Sequence, residues 1–123
     1  MTEYVPGKCN IGARERNNRY IIGASGIIAA ALAVGVTVYY ELPSYVAIFS
    51  YIPFFLGFEG VFQALTGFCV HYAQKGVYEK DGELEEVESE EDHEKDFRKA
   101  MRIHAASLIA AGVSTAIVYL ALI

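Results

Sequence analysis

Three long apolar blocks constrain this chain more than any other feature of its sequence. They cover roughly residues 20–40, 45–72 and 101–123, and 54% of the 123 residues are hydrophobic. Each block is about as long as a helix must be to cross a hydrocarbon core of about 30 Å at about 1.5 Å per residue. The sequence therefore predicts an all-α integral membrane protein with three transmembrane helices, in which an N-terminal hairpin is followed by an added C-terminal span.

The three blocks differ in how many charged and polar residues they contain. The first has no charged side chain, and the third has none after Arg102 apart from a possible charge on His104, which we expect at the membrane interface. The second contains Pro53, Glu59 and Gln63, but proline is tolerated in membrane helices when neighbours satisfy the carbonyl that it frees. A signal peptide is the alternative for the first block. Its length exceeds that of a signal-peptide core and no A-x-A-like site follows it, so we expect all three blocks to span.

The ten lysines and arginines all fall on one side of this predicted topology. The other side receives only a tight turn at 41–44 and the apolar C-terminus. The positive-inside rule therefore places the N-terminus in the cytoplasm and the C-terminus outside the cell membrane. The predicted organisation is a cytoplasmic segment (1–19), a transmembrane hairpin (20–72), an acidic cytoplasmic arm (73–100) and a third transmembrane helix (101–123).

Acidic residues dominate the arm from Glu79 to Asp96, where apolar residues are scarce. Such a stretch is typical of a solvated loop or a partly helical solvated arm, and a docking site for a basic partner is the alternative. The net charge of −5 comes largely from this arm. A basic footprint for nucleic acid is missing, so we expect no nucleic-acid partner.

The second block has two different faces when its residues are placed at about 100° per residue. One face is polar and small while the other is bulky and apolar, which is typical of a helix between protein and lipid. The polar residues are Glu59, Gln63 and Thr66, and the small, helix-packing residues are Gly57, Gly60, Ala64 and Gly67. Because small residues also recur in the other two blocks, we expect close helix packing in a homo-oligomer or a larger membrane complex.

Glu59 lies where a membrane helix is driest. No Lys or Arg lies within a span to pair with it, and an ionised, unpaired carboxylate there costs at least about 2.5 kcal/mol. We expect a protonated side chain that donates to Gln63, Tyr51, a serine or a second copy of the chain. A proton or ion relay is an alternative that lacks a second titratable group, and binding to a partner's cation or cofactor is another.

The N-terminal segment carries polar residues with recognisable spacing. Asn10 is predicted to cap a short helix, and Glu15 and Arg19 are spaced to pair across one turn. Arg14, Arg16 and Arg19 are predicted to anchor the chain at lipid head groups, so membrane lipid is an expected partner.

Two motifs flank the first two blocks. Asn10, Gly12, Glu15, Arg16, Arg19 and Gly23 follow N-x-G-x-x-[DE]-R-x-x-R-x-x-x-G, and Thr66, Gly67, Phe68, Cys69, Tyr72, Gly76 and Val77 follow T-G-F-C-P-x-Y-x-x-x-G-[IV]. Over about residues 9–78 the chain thus resembles the YgaP-like transmembrane domain, a small helical hairpin found alone or appended to rhodanese-type sulfurtransferase domains. The resemblance implies a membrane hairpin that pairs with itself or with other helices. Val70 and His71 depart from the pattern, and the acidic arm and third helix are additions.

The two cysteines, Cys9 and Cys69, are both predicted at the cytoplasmic face. A reducing compartment disfavours a disulfide between them. Our main interpretation is two small interfacial residues without a redox role, and a persulfide-carrying or redox-sensitive thiol is the alternative that the family's sulfur associations raise. Together with His71 and His104 they offer ligand types for zinc or copper. The spacing C-x-H is not diagnostic, so we predict no metal and no cofactor.

The function hypotheses follow from these features. The sequence offers no nucleophile and base pair, no phosphate loop and no sulfurtransferase active-site loop around either cysteine, so we predict that the protein is not an enzyme. The favoured hypothesis is a small helical membrane protein that self-associates or serves as an accessory subunit of a larger membrane complex. The alternative is a small transport or thiol-handling component that uses Glu59 and the cytoplasmic-face cysteines.

Overall fold

The computed structural model describes residues 4–80 and 82–123, so residues 1–3 of the predicted N-terminal segment and residue 81 of the acidic arm lie outside the description. The chain is mostly helical (75%). Its helices are α1 (Ala13–Tyr39), α2 (Tyr51–Thr66), α3 (Val70–Lys75) and α4 (Glu90–Leu122), and a 3-10 segment, Ser44–Ser50, leads directly into α2. The part of the chain that departs from an all-α fold is a two-stranded antiparallel sheet of β1 (Val77–Lys80) and β2 (Glu83–Glu86).

Three of these helical stretches are long and apolar enough to cross a membrane, namely Ala13–Tyr39, Ser44–Thr66 and Glu90–Leu122. Their large apolar side chains point away from the protein: Leu32, Ile109 and Leu120 are 64%, 67% and 65% exposed. A protein surrounded by water buries such side chains, whereas one surrounded by lipid exposes them. The three predicted helices are therefore confirmed, and together they suggest a multi-pass membrane protein.

Four glycines bring α1 and α2 into direct backbone contact. A Cβ on Gly26 would lie 2.5 Å from the backbone nitrogen of Gly57, and one on Gly60 would lie 2.6 Å from the backbone nitrogen of Gly23. No side chain fits between backbones at that separation, so only glycine permits this approach. We call these four residues the glycine seam. The structure thus places the predicted packing residues Gly57 and Gly60 against the first helix.

The other two predicted packing residues have different surroundings. Ala64 is fully buried, as expected for a packing residue. Gly67 instead ends α2 in the left-handed conformation, with φ of +66°, and a Cβ there would meet only Cys9 within 4 Å. Its role in the structure is the turn after α2, because a residue with a side chain is strained at this φ.

The helix α4 packs on α2 and α3 through a stripe of small residues. Ala100, Ser107 and Ala111 on this stripe are fully buried. Where the stripe reaches the end of α2, Phe68, Val70, Ala73, Ala100 and Ile103 form a compact apolar cluster. This end of the bundle also holds residues 4–12, α3, the sheet and the first turns of α4, and we call it the N-terminal end.

The acidic arm is mostly exposed and partly helical, as its composition predicts, but two of its carboxylates contact the N-terminal segment. The strand β2 is fully exposed, but Asp96 is completely buried and accepts hydrogen bonds from the Tyr4 hydroxyl at 2.7 Å and the Gly7 amide at 2.8 Å. Glu79 accepts a hydrogen bond from the Gly12 amide at 3.0 Å. Acidic side chains of the arm therefore hold the N-terminal segment in place, because they accept hydrogen bonds from the Gly7 and Gly12 amides and the Tyr4 hydroxyl.

The third helix also begins earlier than the predicted span at 101. Ser89 accepts a hydrogen bond from the Asp92 amide, and Glu90, Glu91 and Asp92 fill the first turn. A serine cap followed by acidic residues stabilises a helix start through the orphan amides and the helix dipole. The arm thus supplies the first three turns of α4.

We expect Gly26→Ala to lower the free energy of unfolding by about 1–3 kcal/mol, because its Cβ would collide with the backbone of Gly57. Gly35→Ala is the matched control in the same helix, since nothing lies within 4 Å of a Cβ at that position. The control should be neutral or stabilising, because alanine favours helix more than glycine does. Unfolding in mixed micelles, followed by circular dichroism, measures both. Equal effects of the two substitutions would contradict the glycine seam.

We also expect the contact between Tyr4 and Asp96 to weaken at alkaline pH. Burial, together with the hydrogen bond to Asp96, raises the pKa of Tyr4 above its ordinary value of 10.0. The folded protein therefore keeps this proton when the unfolded chain loses it, so the contact's stabilisation is complete below about pH 10 and is lost as the pH rises through the folded-state pKa.

The ultraviolet difference spectrum between wild type and Tyr4→Phe isolates this titration. Its midpoint should lie above that of a free tyrosine, and Asp96→Asn should move it down. Glu91→Gln, which changes an exposed carboxylate on the same helix, should leave it unchanged. A wild-type midpoint at the ordinary value would show that the contact does not form.

Candidate functional site

A cleft of about 450 Å³, lined by both apolar and polar side chains, lies beside α2, between α1 and α4. The helices α1 and α4 both pack on α2 and have almost no contact with each other, so the cleft occupies the gap between them. Its polar lining consists of Arg19, Glu59, Gln63, Cys69, His71, Gln74 and His104. Polar side chains so close to apolar spans mark a candidate functional site.

Glu59 and His104 form a contact across this cleft. The Oε1 atom of Glu59 lies 3.2 Å from Nδ1 of His104 and 3.4 Å from Nε2 of Gln63. The His104 ring also packs edge-on against Phe55. The expectation that Glu59 has no second titratable group within reach is therefore wrong, because α4 brings one from 45 positions along the chain. The contact is a hydrogen bond when one proton lies between Oε1 of Glu59 and Nδ1 of His104, whichever of the two side chains carries it.

The second carboxylate oxygen of Glu59 has no such partner. Oε2 is buried and makes no hydrogen bond within residues 4–80 and 82–123. The side chain as a whole is 13% exposed, whereas that of His104 is 43% exposed. A buried acceptor without a donor costs about 1–3 kcal/mol, so this atom is a point at which a further group would be stabilising.

Gln63 belongs to the site and Thr66 does not. The side-chain oxygen of Gln63 accepts a hydrogen bond from the Val70 amide at 3.3 Å while its nitrogen donates to Glu59, so it connects the cleft to the start of α3. Thr66 donates to the carbonyl of Phe62 in its own helix at 2.7 Å. The structure therefore brings together two of the three predicted intramembrane polar residues. The third satisfies its hydroxyl locally, as threonines in helices commonly do.

Cys69 lines the cleft beside Arg19. Its Sγ accepts a hydrogen bond from a guanidinium nitrogen of Arg19 at 3.1 Å, and the residue is 1% exposed. Arg19 also approaches the Glu15 carboxylate at 3.7 Å, which is the predicted one-turn pair. Its Nε is buried without a hydrogen-bond partner in the described chain. Cys69 therefore sits next to a cation at one end of the cleft.

Cys9 lies outside the cleft lining, and neither cysteine forms a disulfide. The predicted metal-ligand types do not converge either. Among the residues that the structure describes, no group of three or more His, Cys, Asp or Glu side chains is placed to hold a metal ion.

Asn10 positions Cys69 rather than capping a helix. Its side chain accepts a hydrogen bond from the Cys69 amide at 2.6 Å and donates to the Cys69 carbonyl at 3.1 Å. Its backbone amide donates to the Gly67 carbonyl and its carbonyl accepts from the Glu79 amide. The helix cap is Gly12 instead. We call the paired hydrogen bonds between Asn10 and Cys69 the Asn10 clamp.

Two of the three predicted lipid anchors also face inward. Arg16 donates to the carbonyls of Ala64 and Leu65 at 2.6 and 3.3 Å, and Arg19 reaches Cys69. The last carbonyls of a helix lack intrahelical partners and carry the negative end of its dipole, which explains why Arg16 binds the end of α2. Arg14 is exposed and stays available for lipid.

Comparison with known proteins finds no matching family model, no similar curated protein and no similar solved structure. The resemblance of residues 9–78 to the YgaP-like transmembrane domain therefore stays a prediction. In the structure the two motif segments contact each other, since Asn10 pairs with Cys69 and Arg19 reaches the sulfur of Cys69.

We expect Asn10→Asp to lower the free energy of unfolding by about 1–3 kcal/mol, because the new carboxylate oxygen cannot donate to the Cys69 carbonyl. Cys69 should then react faster with a thiol reagent, as its backbone is no longer fixed. The labelled peptide, identified by mass spectrometry, separates its reaction from that of Cys9. Asn17→Asp is the control, since it makes the same change at an exposed position of α1. An unchanged labelling rate of Cys69 in Asn10→Asp would contradict the clamp.

Proposed function

We propose that the protein is a small, non-enzymatic membrane protein whose three helices span the cell membrane and assemble laterally with a second copy or with a larger complex. The observation that carries this proposal is the buried Oε2 atom of Glu59, which has no hydrogen-bond partner among the described residues and lies in the cleft that α1 and α4 leave open. A partner that enters this lateral opening would supply the missing donor.

The surroundings of the cleft support the proposal. In hydrocarbon no water is present to satisfy a carboxyl oxygen, so the missing donor has to come from protein or from a bound molecule. A helix that enters the gap between α1 and α4 would meet Glu59, Gln63 and His104 along one line of contact. Hydrogen bonds between membrane helices contribute about 0.6–2 kcal/mol each, which is enough to bias assembly toward one geometry.

The proposed orientation has the N-terminal end of the bundle in the cytoplasm and the C-terminus outside. Every lysine and arginine of the chain belongs to this end, whereas the opposite end consists of the 41–44 turn and the last residues of α4. The positive-inside rule supports the assignment. In that orientation the Arg19 and Cys69 side of the cleft faces the cytoplasm, and Glu59 lies deeper in the membrane.

A second candidate function is transport or thiol handling at the same cleft. The observation that favours it is the contact between Glu59 and His104, since two titratable side chains in hydrogen-bond distance are the smallest unit that can pass a proton. Cys69, which lies beside Arg19, lines the same cleft. Proton or thiol chemistry would then take place at the cleft instead of helix assembly.

We expect native mass spectrometry from lipid nanodiscs to find the protein as a dimer, a larger oligomer or a complex with a co-purified partner. Glu59→Leu should weaken that association by roughly threefold to thirtyfold, which corresponds to the loss of one interhelical hydrogen bond. Thr66→Val is the matched control in the same helix, because the Thr66 hydroxyl is bonded within α2.

A wild-type protein that stays monomeric and purifies without a partner would contradict the assembly proposal. Proton flux into liposomes separates the second candidate. If Glu59→Gln abolished flux and left the oligomer unchanged, transport would be the function of the cleft.

A further inference from the structure

A second groove lies where α2 meets α4. It has a volume of about 240 Å³ and is almost entirely apolar. Its floor and walls come from Phe62, Leu65, Ile103 and Ala106, and two cations, Lys99 and Arg102, stand at one end. We call it the Lys99–Arg102 groove.

The two cations of the groove lack the partners that their neighbours have. On the same helix, Lys95 pairs with Glu91 at 3.6 Å and Arg98 pairs with Glu94. The corresponding positions one turn before Lys99 and Arg102 hold the cations Lys95 and Arg98, so no acid is available there.

Asp96, the acid nearest to Lys99 in sequence, is occupied by Tyr4 and Gly7. Within residues 4–80 and 82–123, neither Lys99 nor Arg102 makes a hydrogen bond or an ion pair. Lys99 and Arg102 are three residues apart and therefore share one face of α4. Two adjacent cations that no described residue pairs leave this end of the groove open to an external anion.

The depth of the cations identifies the anion. From Ile103 to Leu122 the helix continues for roughly 20 residues, or about 30 Å, which is the thickness of a hydrocarbon core. Lys99 and Arg102 then lie at the level of the lipid phosphates while the apolar part of the groove lies among the acyl chains. A molecule with a phosphate at one end and hydrocarbon at the other matches both parts.

We propose that the Lys99–Arg102 groove is a binding site for an anionic phospholipid of the cytoplasmic leaflet. The phosphate contacts Lys99 and Arg102, and an acyl chain lies along Phe62, Leu65 and Ile103. This site differs from the arginines of the N-terminal segment, two of which are used inside the protein. The inference rests on the proposed membrane insertion and orientation but not on the proposed assembly.

The test compares lipid retention by the full chain in mixed phosphatidylglycerol and phosphatidylcholine nanodiscs, read by native mass spectrometry. Wild type should retain phosphatidylglycerol preferentially. The double variant Lys99→Gln, Arg102→Gln should lose about 25-fold of that preference, because each basic side chain near a membrane surface contributes about fivefold. The double variant Lys95→Gln, Arg98→Gln removes the same charge from the same helix and should keep most of the preference. An equal loss in both double variants would overturn the proposal in favour of general surface attraction.

Two further measurements distinguish a lipid from a free phosphate. Ala106→Phe fills the groove and keeps both cations. Because Ala106 is exposed, we expect the variant to fold, and circular dichroism checks this. It should weaken phosphatidylglycerol retention, whereas full retention would overturn the role of the groove. Inorganic phosphate should not displace the lipid, and efficient displacement would show a phosphate site rather than a lipid site.

Extraction of membrane vesicles with alkaline carbonate tests membrane insertion, which belongs to the proposed function, separately from lipid binding. Wild type should stay in the vesicles. If it washed off, membrane insertion would fail and the lipid site would fail with it, whereas a retained protein without lipid preference would overturn the lipid site alone.

Discussion

Direct contact between the backbones of α1 and α2 at the glycine seam sets the distance on which the N-terminal end of the bundle depends. At that distance Arg16 reaches the last carbonyls of α2 and Arg19 reaches the sulfur of Cys69. The segment before α1 is brought close enough for Asn10 to pair with the backbone of Cys69. A side chain at the seam would separate the helices, and all three contacts would lengthen together. The seam therefore links helix packing in the apolar part of the bundle to the geometry of the cleft.

Length and hydropathy predict the three long helices because a membrane span needs only a run of about 20 apolar residues. The same criteria miss the structure of the acidic arm, which depends on partners far along the chain. Asp96 is buried by Tyr4 and Gly7, which lie about 90 positions earlier, and no periodicity indicates that contact. The start of α4 is different, because Ser89 followed by three acidic residues is a helix-start signal in the sequence itself. The sequence thus contains a helix-start signal within the arm, although the acidic composition of the arm alone favours a solvated loop.

The candidate site was predictable only in part, since helical angles identify which residues share a face but not which helix they meet. The angles place Glu59 and Gln63 together, and the structure agrees. They place Thr66 on the same face as well, and its hydroxyl donates to a carbonyl one turn back in its own helix rather than into the cleft. The sequence does not predict the contact between His104 and Glu59, because pairing across helices depends on the position of α4 along α2. A polar residue close to the boundary of a span is the only signal that pointed to it.

Six of the ten basic residues at the N-terminal end show three different physical situations, although a count of charges treats them alike. Arg16 and Arg19 are engaged with the end of α2 and with Cys69, and Lys95 and Arg98 are paired with acids on their own helix. Such side chains lose contacts if they turn to lipid phosphate, so each gains little from the membrane surface. Lys99 and Arg102 lose nothing, since no partner holds them in the described chain. Within α4, attraction to anionic lipid is therefore concentrated on the face that carries Lys99 and Arg102, and it acts on the same helix that carries His104 to Glu59.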